Sequence, residues 1–315
     1  MPNNRKIKDE TVLYAMALIG LSASVVREVD RLINSTNAEL GSYVRNIIPK
    51  LSDIRSRSSN AAFSTVRDTV TQIRRAGFVK AKAFMIAEAK RFLSVDQGVH
   101  EKILDAGTGV GEAELSKIVT YGAFDGRTLG DWWTQLATAD INRIMSIIRG
   151  GVASGSSTED LVAQIKASIG LTNRGAEMLV RTVMNGIANE GKLLYYEKNS
   201  DLVEEVEWSA ILDSRTSQIC LTLHGERWPI NSGHPVPPAH PNCRSIIIPV
   251  LASGNLEQED AETWLRRQPD EVQKSILGVK KAQLFRAGQL PISRLIDPAT
   301  VKPITLDELA KQYGV

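Results

Sequence analysis

Apolar residues recur at helical spacing through most of the first two hundred positions. Phe63, Val66, Val70 and Ile73 fall at i, i+3, i+7 and i+10. That spacing predicts a helix capped by Asn60, with Gly77 at its C′ position. Residues 78–93, rich in Ala and Lys, predict a second helix, and 105–111 form a Gly-rich break. Thr128 is placed to cap a helix carrying Trp132, Leu136, Ile141, Ile144, Met145 and Ile148, which the Gly150-Gly151 pair ends. After the turn at 154–157, Thr158 opens a helix to about residue 169, with Glu159 and Asp160 favouring its N-terminus. Asn173 begins a longer one through Ala176, Met178, Leu179, Val183 and Ile187 to Tyr196.

The run 12–26 is nearly continuous in apolar residues and follows Arg5, Lys6 and Lys8. Asp9 and Glu10 break the basic flank of a secretory leader, and no convincing cleavage site follows. The run is shorter than the ~20 residues that span a bilayer. It reads as a buried helix of a chain made in the cytoplasm.

The pattern changes near residue 203. Val203, Val206 and Trp208 fit a short strand, and 245–251, with Ile246, Ile247 and Ile248, fits a buried one. Between them lie five of the chain's twelve prolines. Residues 259–267 and 271–277 return to helix. The expected fold is mainly α (α+β), with helical N-terminal and central parts and a small β-containing, Pro-rich C-terminal module. The expected regions are 1–100, 101–200 and 201–315.

Composition excludes disordered, collagen-like and disulfide-scaffold classes: the chain is 43% hydrophobic and 23% charged, with two cysteines. The net charge of +2 hides an asymmetry, because residues 1–100 carry +7 and the remainder −5. A basic helical surface attracts phosphates by counterion release. The candidate nucleic-acid contacts are Arg55, Arg57, Arg67, Arg74, Arg75, Lys80 and Lys82. A solvated helix face explains the same residues. No aromatic ladder interleaves them, so single-strand stacking is not indicated.

Both cysteines and three of the four histidines fall within 220–243. Cys220-x3-His224 and His240-x2-Cys243 have the short spacings of a structural zinc site, with His234 as a competing ligand. Two other readings stay open: buried, hydrogen-bonded thiols, and a Cys220–Cys243 disulfide. Just upstream, Asp213, Arg215 and Thr216 can build a self-bonded turn. The stretch 103–111 resembles the glycine loop of S-adenosylmethionine-dependent methyltransferases, but only a two-residue apolar stub precedes it and helical pattern follows. Methyltransferase and zinc hydrolase are the enzymatic alternatives.

A wider resemblance rests on several motifs in order. These are Trp208-Ser-Ala-Ile-Leu-Asp213-Ser-Arg215-Thr216-Ser-Gln-Ile-Cys220, His224-Gly225, and Pro237-Pro238-Ala-His240-Pro241-Asn242-Cys243-Arg244. Upstream lies Arg181-Thr182; downstream come Trp264-Leu265, Gln268-Pro269, Leu277-Gly278, Leu284-Phe285-Arg286 and Gly288. Over roughly 128–310 the chain resembles the Mu F-like phage head morphogenesis (minor head protein) family. Ser245 stands where that family commonly has Cys, and Val183 where it often has an acidic residue. The resemblance implies a non-enzymatic minor capsid protein, made in the host cytoplasm and carried in the virion. It also implies partners: the portal and other head proteins, and double-stranded DNA contacted without sequence preference, with no membrane. Roles in procapsid assembly, DNA packaging and genome ejection follow from it. The cofactor these residues suggest is a structural zinc at Cys220, His224, His240 and Cys243.

Overall fold

The computed structural model describes residues 4–52, 59–104, 108–124, 126–251 and 259–313. In order, the elements are helices α1 (Asn4–Asn34), α2 (Asn37–Ser52), α3 (Ser59–Leu104) and α4 (Glu112–Tyr121), then the ribbon β1 (Ala123–Phe124) and β2 (Arg127–Thr128). Next come α5 (Leu129–Ser154), α6 (Thr158–Lys198), β3 (Val203–Ser209), α7 (Gln218–Leu223), β4 (Arg227–Pro229) and β5 (Ile246–Leu251). The chain closes with α8 (Ala261–Arg266), α9 (Asp270–Leu277), α10 (Val279–Arg286), a 3-10 turn at Ile292–Arg294, β6 (Ile296–Asp297), β7 (Lys302–Pro303) and α11 (Leu306–Tyr313). The fold is mainly α with small antiparallel sheets, as the periodicity predicted. The chain forms two compact units interleaved in sequence: 20–92 with 116–184, and 1–19 with 93–115 and 185–315.

The first unit is helical. Its core joins Leu40, Val44 and Ile48 of α2, Val66, Val70 and Ile73 of α3, Ile141, Ile144 and Ile148 of α5, and Leu161, Ile165 and Ile169 of α6. Each set repeats at three or four residues, so each helix turns one apolar stripe inward. Full burial of each such side chain contributes about 1.5–3 kcal/mol. Thr128 caps α5 in a capping box with Asp131, as its position predicted.

Glycines did not end helices where the pattern placed the ends. Gly77 lies inside α3, which runs unbroken to Leu104. A Cβ there would sit 2.9 Å from the Leu32 carbonyl oxygen, so glycine lets α3 approach α1 closely. Gly151 continues α5 to Ser154, and the left-handed Gly155 forms its C-cap. The helices expected at 158–169 and from 173 are the single α6. Tertiary packing along these long helices overrides the local glycine penalty of about 1 kcal/mol.

Two further expectations are corrected, and one alternative is set aside. Arg74 is fully buried, so it is not a surface contact for nucleic acid. Ile103 and Leu104 end a helix, so the strand a methyltransferase loop needs is not there; 105–107 lie outside the described residues. The 12–26 run is helical but only partly buried, with Leu13 65% and Met16 59% exposed. By length and composition alone, the segment Asp9–Leu51 holds a stretch apolar enough to cross a membrane.

The second unit contains the three-stranded antiparallel sheet, in the order β4-β3-β5. In register, Trp208 faces Ile247, and Glu207 faces Arg227 and pairs with it at 2.7 Å. Ile246, Ile248 and Val250 of β5 pack with Ala15 of α1. Trp208 packs with Ile219, Cys220, Leu223 and Cys243. Leu265, Ile276, Phe285 and Leu309 gather α8–α11 around a small core of their own.

Candidate metal centre

Two local devices bring the cysteines together. Ser217 caps α7, its hydroxyl accepting from the Cys220 amide at 3.1 Å, which fixes Cys220 in the first turn. His240-Pro241-Asn242-Cys243 is a tight turn. The Cys243 amide donates to the His240 carbonyl at 3.1 Å, and Asn242 takes φ 57°. Pro at the second position and Asn at the third suit a type II turn, so the sequence itself aims His240 and Cys243 the same way.

The result is a buried trio. The Cys220 and Cys243 sulfurs are 3.6 Å apart, and His240 Nε2 lies 3.1 Å from the Cys220 sulfur. The ligand atoms of Cys220, His240 and Cys243 all lie within 4.8 Å of one another. Both cysteines are free thiols, and the gap between their sulfurs exceeds the ~2.05 Å disulfide bond. The two sulfurs share a hydrogen bond, and this bond, with His240, holds the Cys243 thiol below its ordinary value despite burial. The same bond and burial push the Cys220 thiol up. Burial alone would lower His240, but hydrogen bonding and charge from Cys243 hold it above its ordinary value. His240 Nε2 also lies 2.8 Å from the Ser217 hydroxyl.

Two expected ligands lie outside this trio. His224 Nδ1 accepts from the Ala210 amide at 3.0 Å. His234 stacks on Trp228, with ring centroids 5.8 Å apart.

A charged clasp and an amide pair hold the trio's loop. Asp213 builds the expected turn, its carboxylate accepting from the Arg215 amide while its own amide donates to Thr216 Oγ1. The main partner was not foreseen. Arg244 grips Asp213 with two bonds of 2.6 and 2.7 Å, which hold the Asp213 carboxyl at about 2. Asn185 and Asn189, one turn apart on α6, were missed as well. Asn185 donates to the Cys243 and Ser245 carbonyls, and Asn189 accepts from the Ile247 amide. The available signal was a pair of buried amides at i and i+4 in an otherwise apolar stretch. Gly186 lies between them, where a Cβ would meet the Pro238 ring at 3.2 Å, so the proline loop rests on this face.

The basic candidates are placed separately. Arg75 and Lys80 are exposed on α3 and Lys82 is half-buried. Arg67 donates to Asn142 at 3.0 Å. Arg55 and Arg57 lie outside the described residues. At 100° per residue, Arg75 and Lys82 share one side of α3 while Lys80 points about 140° away.

Residues 142–248 match the family model described as Phage Mu protein F like protein. That interval includes Asn185, Asn189, Asp213, Arg244 and the whole trio. Comparison with curated proteins found no match, and comparison with solved structures found none.

Proposed function

We propose, on the premise that the chain belongs to the phage Mu protein F like family through residues 142–248, that it is a structural protein of a bacteriophage head acting in head morphogenesis. The carrying observation is that family match, within which the clasp, the amide pair and the trio form one folded module. The finer reading is a minor capsid protein bound to the portal inside the shell, where it serves procapsid assembly and DNA packaging and leaves with the genome at ejection. Its other partners are head proteins and double-stranded DNA, held without sequence preference.

DNA contact rests on Arg75, Lys80, Lys82 and Arg67, without Arg74. Their dispersal around α3 favours a diffuse attraction to phosphates over a docked groove. The reading is a non-enzymatic one, and the burial of Cys220 and Cys243, 5% and 3% exposed, speaks against a thiol nucleophile acting on a macromolecular substrate.

The test is co-purification of the full chain with procapsids assembled with and without portal protein. The chain should sediment with portal-containing particles and be lost from portal-free ones. Its absence from both would overturn the head role. Equal recovery from both would overturn portal binding alone. Binding of duplex DNA by the full chain should fall steeply with salt. The slope should flatten by about 1 when Arg75→Ala or Lys80→Ala removes a cation that neutralises a phosphate. Salt-independent binding would remove the DNA partner.

A further inference from the structure

We propose that Cys220, Cys243 and His240 bind one soft, zinc-class divalent cation, with the Ser245 hydroxyl or a water in the fourth position. The proposal stands on the module's own geometry, whether or not the chain belongs to a phage head.

Tetrahedral zinc with bonds of about 2.3 Å to sulfur and 2.0–2.1 Å to nitrogen sets its ligands about 3.8 Å apart for two sulfurs and about 3.5 Å for sulfur and nitrogen. The separations of 3.6 and 3.1 Å already approach that arrangement. A cation of suitable size enters with small side-chain movements and displaces the proton that Cys220 shares with Cys243.

The donor chemistry agrees. Two thiolates and an imidazole are the ligands zinc and cobalt prefer, whereas magnesium and calcium take oxygen. The other ring nitrogen of His240, Nδ1, lies 2.9 Å from the Pro241 carbonyl, the outer-shell bond that fixes a ligating imidazole through Nε2. Arg244, anchored by Asp213, provides positive charge that offsets the second thiolate.

A further observation points to the fourth position. The Ser245 hydroxyl is buried against the Cys220 sulfur without a well-formed hydrogen bond. A buried hydroxyl whose neighbour is a thiol at poor geometry is better satisfied by a cation or its bound water. Three strong ligands and one weak one describe a site of moderate affinity.

The experiment is cobalt titration of the reduced, metal-free full chain. One equivalent should produce a sulfur-to-cobalt charge-transfer band and the visible bands of a tetrahedral ion, and zinc should bleach both. Cys243→Ser should lose the charge-transfer intensity and weaken binding at least tenfold. His240→Ala should weaken it comparably, while His224→Ala leaves it within twofold. Ser245→Cys completes a four-ligand set and should tighten binding at least tenfold, a gain that misfolding cannot mimic. Absence of the charge-transfer band in the reduced chain overturns the site. So does a band that persists in Cys243→Ser, or unchanged affinity in Ser245→Cys.

Discussion

The two units each bury a basic side chain completely, and they treat it in opposite ways. In the helical unit, Arg74 of α3 meets four acceptors through Nε and Nη1, and only its Nη2 lacks a partner. Its Nε donates to Asp140 Oδ2 at 2.7 Å, and its Nη1 donates to the Ile33 carbonyl, Thr36 Oγ1 and Asn37 Oδ1. Asp140 spends its other oxygen on the Thr172 hydroxyl at 2.6 Å, and Arg143 donates to Thr172 in turn. In the sheet-containing unit, Lys192 of α6 is just as buried, yet its Nζ has no hydrogen-bond partner. It faces the Tyr14 ring at 5.7 Å and lies in the field of Asp96. His100 Nε2 is 3.5 Å from Asp96 Oδ1, and neither atom completes a hydrogen bond. The planar guanidinium reaches several acceptors at once, while the ammonium must have its acceptors brought to it. Burial of a charge is therefore no measure of stabilisation; how far its hydrogen-bond set is filled decides the sign.

The sharpest way to break the comparison is to empty the better-filled network around Arg74. Arg74→Met leaves Asp140 buried without its cation and should destabilise by about 3–5 kcal/mol, read from denaturant midpoints of the full chain. Adding Asp140→Leu should recover most of that loss, because the pair is then replaced by apolar volume. A single-variant loss below about 1 kcal/mol would mean that Arg74 contributes no more than an exposed basic residue.

Arg74 also marks where sequence reading reached its limit. Helix existence was legible from the spacing of Val66, Val70 and Ile73, and the α5 cap from Thr128 and Asp131. Arg74 follows Ile73 directly and precedes Arg75, so local pattern assigned both to solvent. Only its partners, distant in sequence at Asp140, Ile33 and Thr36, draw it inward. Gly77 failed for the same reason: the close approach of α1 is not written in residues near it. The site divides likewise. The His240–Cys243 turn was readable because Pro241 and Asn242 dictate it. The exclusion of His224 and the grip of Arg244 on Asp213 depend on partners 14 and 31 residues away.

Asp213 offers an intermediate case, since its pair with Arg244 is part-buried and doubly bonded. Asp213→Asn keeps the shape of the turn and removes the charge, with an expected loss of about 1–2 kcal/mol at neutral pH. The folded carboxyl, held at about 2, lies below its ordinary value, so the pair's stabilisation is complete above roughly pH 4. It is lost as pH falls through the folded value. The wild-type chain should therefore show a decline between about pH 4 and 2 that Asp213→Asn lacks, measured by denaturation across that range. Parallel profiles would show that the clasp adds nothing to folding.

The smallest expected effect carries the opposite sign. Lys192 sits with Tyr14 of α1, with Asp96 and His100 of α3, and with Tyr195 and Tyr196 beside it on α6. Burial pushes the Lys192 ammonium down, although Asp96 opposes the shift. A lysine whose folded value is lowered binds its proton less well folded than unfolded, so stability rises as pH climbs from the folded value towards the ordinary one. The phenols act in the opposite direction. Burial raises Tyr14, Tyr195 and Tyr196, so they subtract stability once unfolded tyrosine ionises near pH 10. The lysine contribution is thus readable only between neutral pH and about 9.5. Lys192→Met should stabilise the chain by about 1 kcal/mol at pH 7, since an apolar side chain of similar length fills the site without a desolvated ammonium. It should also flatten the rise towards pH 9.5. Destabilisation at pH 7 with the rise intact would show instead that the ammonium is well satisfied, and that the two buried charges differ in geometry but not in energy.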